Sequence, residues 1–154
     1  MGDSESRSNY NKALQEYFSQ NQNFERLSEL SKIRLQHNHC LRILDSKDMG
    51  DIKLLENCPK IGDYLTSTSK SSFETIKKCL NRLNIDYIEN PNLVRGLDYY
   101  TDLCFEIKYT GEDEEKPKDT LLGGGRYDLL VGQLRGQKNL KDQVPALGYK
   151  INVI

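Results

Sequence analysis

Residues 93–101 read Leu-Val-Arg-Gly-Leu-Asp-Tyr-Tyr-Thr, and further along the chain Gly-Gly-Gly-Arg-Tyr-Asp occupies 123–128. Each segment sets an arginine and a tyrosine close to glycine. A guanidinium is permanently charged and can make two directed hydrogen bonds to an anion. A phenol offers a polar tip to a small ligand, and glycine lets another group approach the backbone closely. Such residues have the chemistry to hold an anionic reacting centre and a small zwitterion at close range.

Plainer explanations stand beside that one. An ion pair between Arg95 and Asp98 on a surface turn would account for Arg-Gly-Leu-Asp. Tyr99 and Tyr100 alternate faces if they lie in a strand, so one phenol can face a pocket and the other the core. Gly123, Gly124 and Gly125 read as a strand-to-helix turn needing positive φ, or as bare backbone with a cation and a phenol, Arg126 and Tyr127, at its edge. His37-x-His39-Cys40 invites a metal reading, but a tetrahedral site there would need a distant fourth ligand. Ordinary loop residues are the simpler reading, and no metal is assigned. Arg34, Arg42, Lys47, Lys53 and Lys60 could line a phosphate-facing surface, although a solvated helix face explains most of them.

These residues must be positioned by a chain of 154 residues, enough for one sizeable core or a small core with a satellite unit. The formal net charge of −1 supplies no global basic field, so any RNA contact must be local. The first residues, Met-Gly-Asp-Ser-Glu-Ser-Arg-Ser, lack the apolar core of a secretory signal, and no later stretch is long and apolar enough to cross a bilayer. A soluble, cytoplasmic protein is expected. Cys40, Cys58, Cys79 and Cys104 are too widely spaced for a dense disulfide framework or paired zinc ligands, and read as free, mostly buried thiols.

Tyr10, Ala13, Leu14, Tyr17 and Phe18 recur at helical spacing and predict a helix over about 9–20. Leu27, Leu30, Ile33 and Leu35 suggest a second, less regular one, and a third covers about 50–57. Asp45 or Ser46, at a turn, is placed to cap that third helix. Ser71 followed by Glu74 resembles a capping box, and Phe73, Ile76, Leu80 and Leu83 form the stripe of a helix over 72–84. Beyond it the period changes. Ile85–Ile88 reads as a short strand and Tyr99–Tyr109 as a long one; the Glu/Lys-rich 112–118 reads as a hairpin tip or a locally disordered loop. Leu121 and Leu122 start a return strand, 126–133 fits a short helix, and 144–154 a final strand. The chain thus divides near residue 86 into a helical part, 1–86, and a sheet part, 87–154.

Several segments carry a resemblance in order and spacing: Leu41-Arg-Ile-Leu-Asp-Ser-Lys47, Cys58-Pro-Lys-Ile-Gly-Asp-Tyr64, the Phe73 helix, Ile85-Asp-Tyr-Ile88, Leu93 to Thr101, Phe105-Glu106, Gly123 to Asp128, and Pro145-Ala-Leu-Gly148. The chain resembles histidyl-tRNA synthetases over nearly all its length after residue 8. The resemblance implies an α+β fold, part of the class II synthetase antiparallel sheet with a mostly helical insertion. Residues up to about 86 then correspond to the histidine-enzyme-specific insertion that lies against the tRNA acceptor stem, with Arg42 and Lys47 as candidate tRNA contacts. Arg95 corresponds to the arginine at the reacting phosphate. Tyr100 and Tyr127, with Gly124 and Gly125, correspond to the histidine pocket.

The resemblance further implies ATP with Mg2+ and a homodimer for the complete enzyme, with histidine and tRNA as partners. The dimer-forming motif and an arginine-bearing motif expected upstream are not in this sequence, and the third motif, ending Gly-x-Glu-Arg, is altered: Asn152 stands where glycine is expected and Ile154 where glutamate is. Little or no histidine binding, no tightly bound cofactor and no aminoacylation are expected of this chain alone. Two alternatives belong to other classes: the regulatory subunit of ATP phosphoribosyltransferase, which shares the sheet and a similar histidine pocket, and a non-catalytic tRNA-binding module. The strands near 99–109 and 146–154 are expected sheet edges, through which the chain would self-associate.

Overall fold

The structure, a computed structural model, describes residues 2–94, 100–109, 120–136 and 143–152. The chain separates into two compact units, Gly2–Gly96 and Leu97–Ile154. The boundary falls beyond the change of periodicity near 86, because the segment after the last long helix groups with the helical unit.

In the helical unit, α1 (Ser4–Ser19) begins where Asp3 accepts a hydrogen bond from the Ser6 amide at 2.8 Å. This cap starts the helix well before the apolar stripe that the sequence shows. Tyr10, Leu14 and Phe18 then fall on one buried face, four residues apart. The short α2 (Asn21–Phe24) and α3 (Glu29–Gln36) follow, then a 3-10 turn at Cys40–Asp45, α4 (Met49–Leu55), a second 3-10 turn at Ile61–Tyr64, and α5 (Ser67–Arg82). Leu27, Leu35, Cys40, Ile43, Leu44, Leu54, Leu55, Cys58 and Ile61 complete the core around α1. Two phenols close its rim: Tyr10 donates to the Pro59 carbonyl at 3.1 Å and Tyr17 to that of Leu54 at 3.0 Å. No helix among the described residues is long and apolar enough to cross a membrane.

One buried carboxylate ties three segments of this unit together. Asp51, in the first turn of α4, accepts from the Ser28 amide at 2.9 Å, from the Ser28 hydroxyl at 2.7 Å, and from the Ser31 and Ser46 hydroxyls at 2.6 Å each. Ser28 is also the N-cap of α3. The capping role foreseen near Asp45 and Ser46 belongs instead to Asp48, which accepts from the amides of Gly50 and Asp51.

Two expectations after residue 60 are corrected. α5 starts at Ser67 under Thr66, not at Ser71: the Thr66 hydroxyl accepts from the Ser69 amide and donates to Asp3 at 2.6 Å, a tertiary contact that local spacing does not encode. Glu74 pairs with Lys77 at 2.6 Å instead of closing a capping box. Ile85–Ile88 forms no strand. Asn84, at φ 52°, takes the left-handed position that ends α5, the Ile85 amide returns to the Leu80 carbonyl, and Ile88 is left almost fully exposed.

The second unit is a three-stranded antiparallel sheet in the order β1 (Cys104–Lys108), β2 (Thr120–Arg126), β3 (Leu147–Ile151), with α6 (Leu130–Leu134) between β2 and β3. β1 is shorter than the 99–109 strand expected, and Tyr99 lies outside the described residues. α6 begins at 130, later than foreseen, because the backbone of 126–127 stays committed to the sheet: the Tyr127 amide donates to the Ala146 carbonyl at 2.9 Å. Register places Gly124 between Phe105 and Tyr149, and Gly125 between Cys104 and Gly148. Since side chains alternate along a strand, Cys104, Glu106 and Lys108 share one face with Gly125 and Gly148. Phe105, Ile107, Leu122, Leu147, Tyr149 and Ile151 form the other. β1 and β3 are the edges of the described sheet, as their sequences suggested.

Candidate functional site

The three glycines do not form a turn. They lie inside β2, and none has the positive φ that the turn reading required; among the described glycines only Gly2 and Gly136 do. What they supply is missing volume. A methyl group on Gly125 would sit 2.7 and 2.9 Å from two ring carbons of Tyr100, and it would overlap the Leu103 carbonyl oxygen. One on Gly148 would overlap the Tyr127 phenol oxygen and lie 3.1 Å from two of its ring carbons.

Gly125 and Gly148 are paired across β2 and β3. Their Cα atoms in such an antiparallel pair are about 5.5 Å apart and their missing side chains point to one face. Tyr100 and Tyr127, one from each sequence motif, therefore stand over neighbouring glycines on the same side of the sheet. Glu106 shares that face and lies 3.5 Å from Lys108. Two phenols above bare backbone, with a carboxylate nearby, suit a small polar ligand that carries both donors and acceptors.

Gly124 belongs to the opposite face: a methyl there would meet the Tyr149 Cβ and the Phe105 ring. Arg126 lies on that face too. Its Nε donates to Asp128 at 2.6 Å, so the cation that the sequence suggested for the pocket edge is held by a neighbour in its own motif. Arg95, Gly96, Asp98 and Tyr99 lie outside the described residues.

Asp128 is the residue whose role sequence reasoning missed. It is buried; one carboxylate oxygen holds Arg126 and the other accepts from the Ala146 amide at 3.0 Å. Its own amide donates to the Thr101 hydroxyl at 3.1 Å. The segments bearing Tyr100, Tyr127 and Gly148 are joined at this one residue. An acidic residue directly after the Arg126-Tyr127 pair was the available signal.

In the helical unit Arg42 and Lys47 are exposed, and the Arg34 guanidinium donates to the Arg42 carbonyl at 2.8 Å. Lys60 does not belong with them. Its ammonium turns inward to the Leu55 carbonyl at 2.7 Å and lies 3.8 Å from the Cys58 sulfur. His37 and His39 have ring centroids 6.4 Å apart, while Cys40 is fully buried in the core, where burial pushes its thiol up to about 11. Such a thiol is a core side chain rather than a ready metal ligand. None of the four cysteines forms a disulfide, and only Cys40 and Cys58 are buried: Cys79 is exposed and Cys104 half-buried, so the thiols are not mostly buried as expected.

The architecture is thus that of an α+β protein whose sheet carries a glycine-floored, tyrosine-flanked site. Comparison with known proteins gives it a family. A family model described as histidyl-tRNA synthetase matches residues 3–153. The chain is 44% identical to the histidine–tRNA ligase of Lactobacillus helveticus over 151 residues, 98% of this chain and 33% of that protein. It is likewise 44% identical to the ligase of Lactococcus lactis subsp. cremoris strain MG1363, covering 99% of this chain and 33% of the relative. The crystal structure of apo S. aureus histidyl-tRNA synthetase superposes with a TM-score of 0.65 at 35% identity, covering 96% of this chain and 33% of that one. The chain belongs to the histidyl-tRNA synthetase family. It spans about a third of the length of the relatives it matches.

Proposed function

We propose that this chain serves as part of a histidine–tRNA ligase, a soluble cytoplasmic enzyme that activates histidine with ATP and Mg2+ and transfers it to tRNA. In this reading it contributes one wall of the histidine pocket and a surface for the tRNA acceptor stem. The observation that carries the proposal is the convergence of Tyr100 and Tyr127 over the Gly125–Gly148 floor. Phenols can pair with the ring nitrogens of an imidazole, and a substrate lacking those nitrogens would leave the phenols unpaired, which is a strong source of discrimination. Arg95 is assigned, from its motif, to the anionic reacting centre, where a fixed guanidinium stabilises charge developing on phosphoryl oxygens. ATP and Mg2+ belong to the complete enzyme here, and none of the described residues is assigned to hold them. The matched relatives carry the ligase name, which favours this reading over a regulatory subunit.

Nuclear magnetic resonance tests the pocket in the chain as it stands. Histidine, binding weakly at about millimolar levels, is expected to shift the amide signals of Gly125, Tyr127 and Gly148, and Tyr127→Phe to reduce the effect. Equal shifts with phenylalanine and histidine would remove histidine from the proposal.

The tRNA surface is assigned to the helical unit through Arg42 and Lys47. A duplex imitating an acceptor stem is expected to bind with an affinity that falls steeply with salt, and R42E combined with K47E to weaken it and flatten the salt slope by about 2, one per lost phosphate contact. Identical salt titrations for the two proteins would place the RNA elsewhere.

A further inference from the structure

Asp128 stands where β2 ends and the chain turns toward α6, and the hydrogen bonds there depart from an ordinary ladder. Tyr127 and Ala146 continue the register of the pairs Gly125–Gly148 and Arg126–Leu147. In an antiparallel sheet, a pair bonded through its backbone exchanges two hydrogen bonds, one from each amide. Here the Tyr127 amide makes the first, to the Ala146 carbonyl at 2.9 Å. The Tyr127 carbonyl is committed elsewhere: it accepts from the Leu130 amide at 3.0 Å as the chain turns into α6. The Ala146 amide goes to the Asp128 carboxylate, also at 3.0 Å. A side chain thus supplies the acceptor that the turn has withdrawn from the strand.

The backbone of Asp128 is anchored in the same neighbourhood. Its amide donates to the Thr101 hydroxyl at 3.1 Å, and its carbonyl accepts from the Val144 amide at 3.0 Å. The Thr101 amide donates in turn to the Arg126 carbonyl at 2.7 Å, which holds the residue after Tyr100 between 126 and 128. Those backbone bonds need no particular side chain at 128. The bond to Ala146 and the ion pair with Arg126 do. Arg126 is the more exposed partner, 45% against 12% for Asp128, so water can replace the carboxylate at that guanidinium. Ala146 is different: it precedes Gly148 by two residues, and a shift there moves the glycine over which Tyr127 lies.

We propose that, on the reading of this face as a histidine site, Asp128 is its positioning residue: the carboxylate stands in for a strand acceptor and holds the Gly148 floor in register under Tyr127. Its two oxygens are occupied by Arg126 and Ala146, so it acts on a ligand through Tyr127 and Gly148.

Two variants separate this role from general support of the sheet. Asp128→Ala removes the acceptor, whereas Asp128→Asn keeps one oxygen for the Ala146 amide and gives up only the exposed arginine. In nuclear magnetic resonance spectra of the chain without ligand, a contact between the Tyr127 ring and the Gly148 α-protons is expected for the parent. It is expected to be lost in Asp128→Ala and retained in Asp128→Asn, with the cross-strand contact of Glu106 and Gly123 unchanged in both. The shifts that histidine produces at Gly125, Tyr127 and Gly148 should follow the ring contact. Should Asp128→Ala lose the sheet signals altogether, hydrogen exchange in the parent decides: the Ala146 amide is expected to be protected to the same order as that of Gly148. A ring contact that survives Asp128→Ala, one lost equally in Asp128→Asn, or free exchange at Ala146 would overturn the proposal. Because the ring contact is read without ligand, equal shifts with phenylalanine and histidine would remove histidine from the pocket and leave the positioning role standing.

Discussion

Asp51→Ala is expected to destabilise the helical unit severely. Its carboxylate is the common acceptor for one amide and three hydroxyls from Ser28, Ser31 and Ser46, and both Asp51 and Ser31 are fully buried. An unpaired buried donor costs about 1–3 kcal/mol. Some hydroxyls can turn elsewhere, so a loss of about 4 kcal/mol is expected, against a total of about 5–15 kcal/mol for an ordinary domain. Urea titration followed by helical circular dichroism measures it. Asp51→Asn keeps one acceptor oxygen and offers an amide to hydroxyls that can rotate to accept, so it should cost less than alanine. A midpoint for Asp51→Ala equal to that of the parent would mean that the serines hold the three segments without it.

The same carboxylates set a pH dependence. Burial alone would raise the pKa of Asp51, but hydrogen bonds from Ser31, Ser46 and Ser28 outweigh it and the net shift is downward. Asp3 behaves likewise: burial raises it, and the Thr66 hydroxyl with the Ser6 and Ser69 groups brings it to about 2. A carboxyl whose folded pKa is depressed contributes its stability above the unfolded value near 4 and loses it as pH falls through the folded value. The urea midpoint should therefore be flat from about pH 7 to about pH 5 and fall between about pH 4 and pH 2. Asp51→Asn should flatten part of that fall.

Gly125→Ala and Gly148→Ala are expected to separate stability from function within the sheet. On Gly125 the added carbon meets the Leu103 carbonyl oxygen, a backbone atom between paired strands, as well as the Tyr100 ring. Backbone gives way less readily than a side-chain tip, and a loss of about 1–3 kcal/mol is expected. On Gly148 the obstacle is the far end of Tyr127, which can swing aside. That substitution should leave the thermal melt nearly unchanged while abolishing the histidine-dependent shift at the floor. If Gly148→Ala destabilised the sheet as much as Gly125→Ala, Tyr127 would be a structural wedge instead of a ligand-facing group.

Periodicity and residue chemistry read locally were enough for the α+β division, the stripe of Tyr10, Leu14 and Phe18, the two edge strands and the two motifs. Short-range patterns failed where a distant group took over. Thr66 displaced Ser71 as the cap of α5 because Asp3 holds its hydroxyl. Asp51 read as one acid in a short helix, because nothing local shows that Ser28, Ser31 and Ser46 will converge on it. Gly123–Gly125 read as a turn, since glycine signals positive φ and empty space equally well. Only the pairing of β2 with β3 decided between them, by setting Gly125 beside Gly148 and bringing Tyr100 and Tyr127 over the gap. Which residues were candidates for a site was legible from types, spacing and resemblance, but the sheet face they share was not, because a face is fixed by cross-strand register and register is a tertiary quantity.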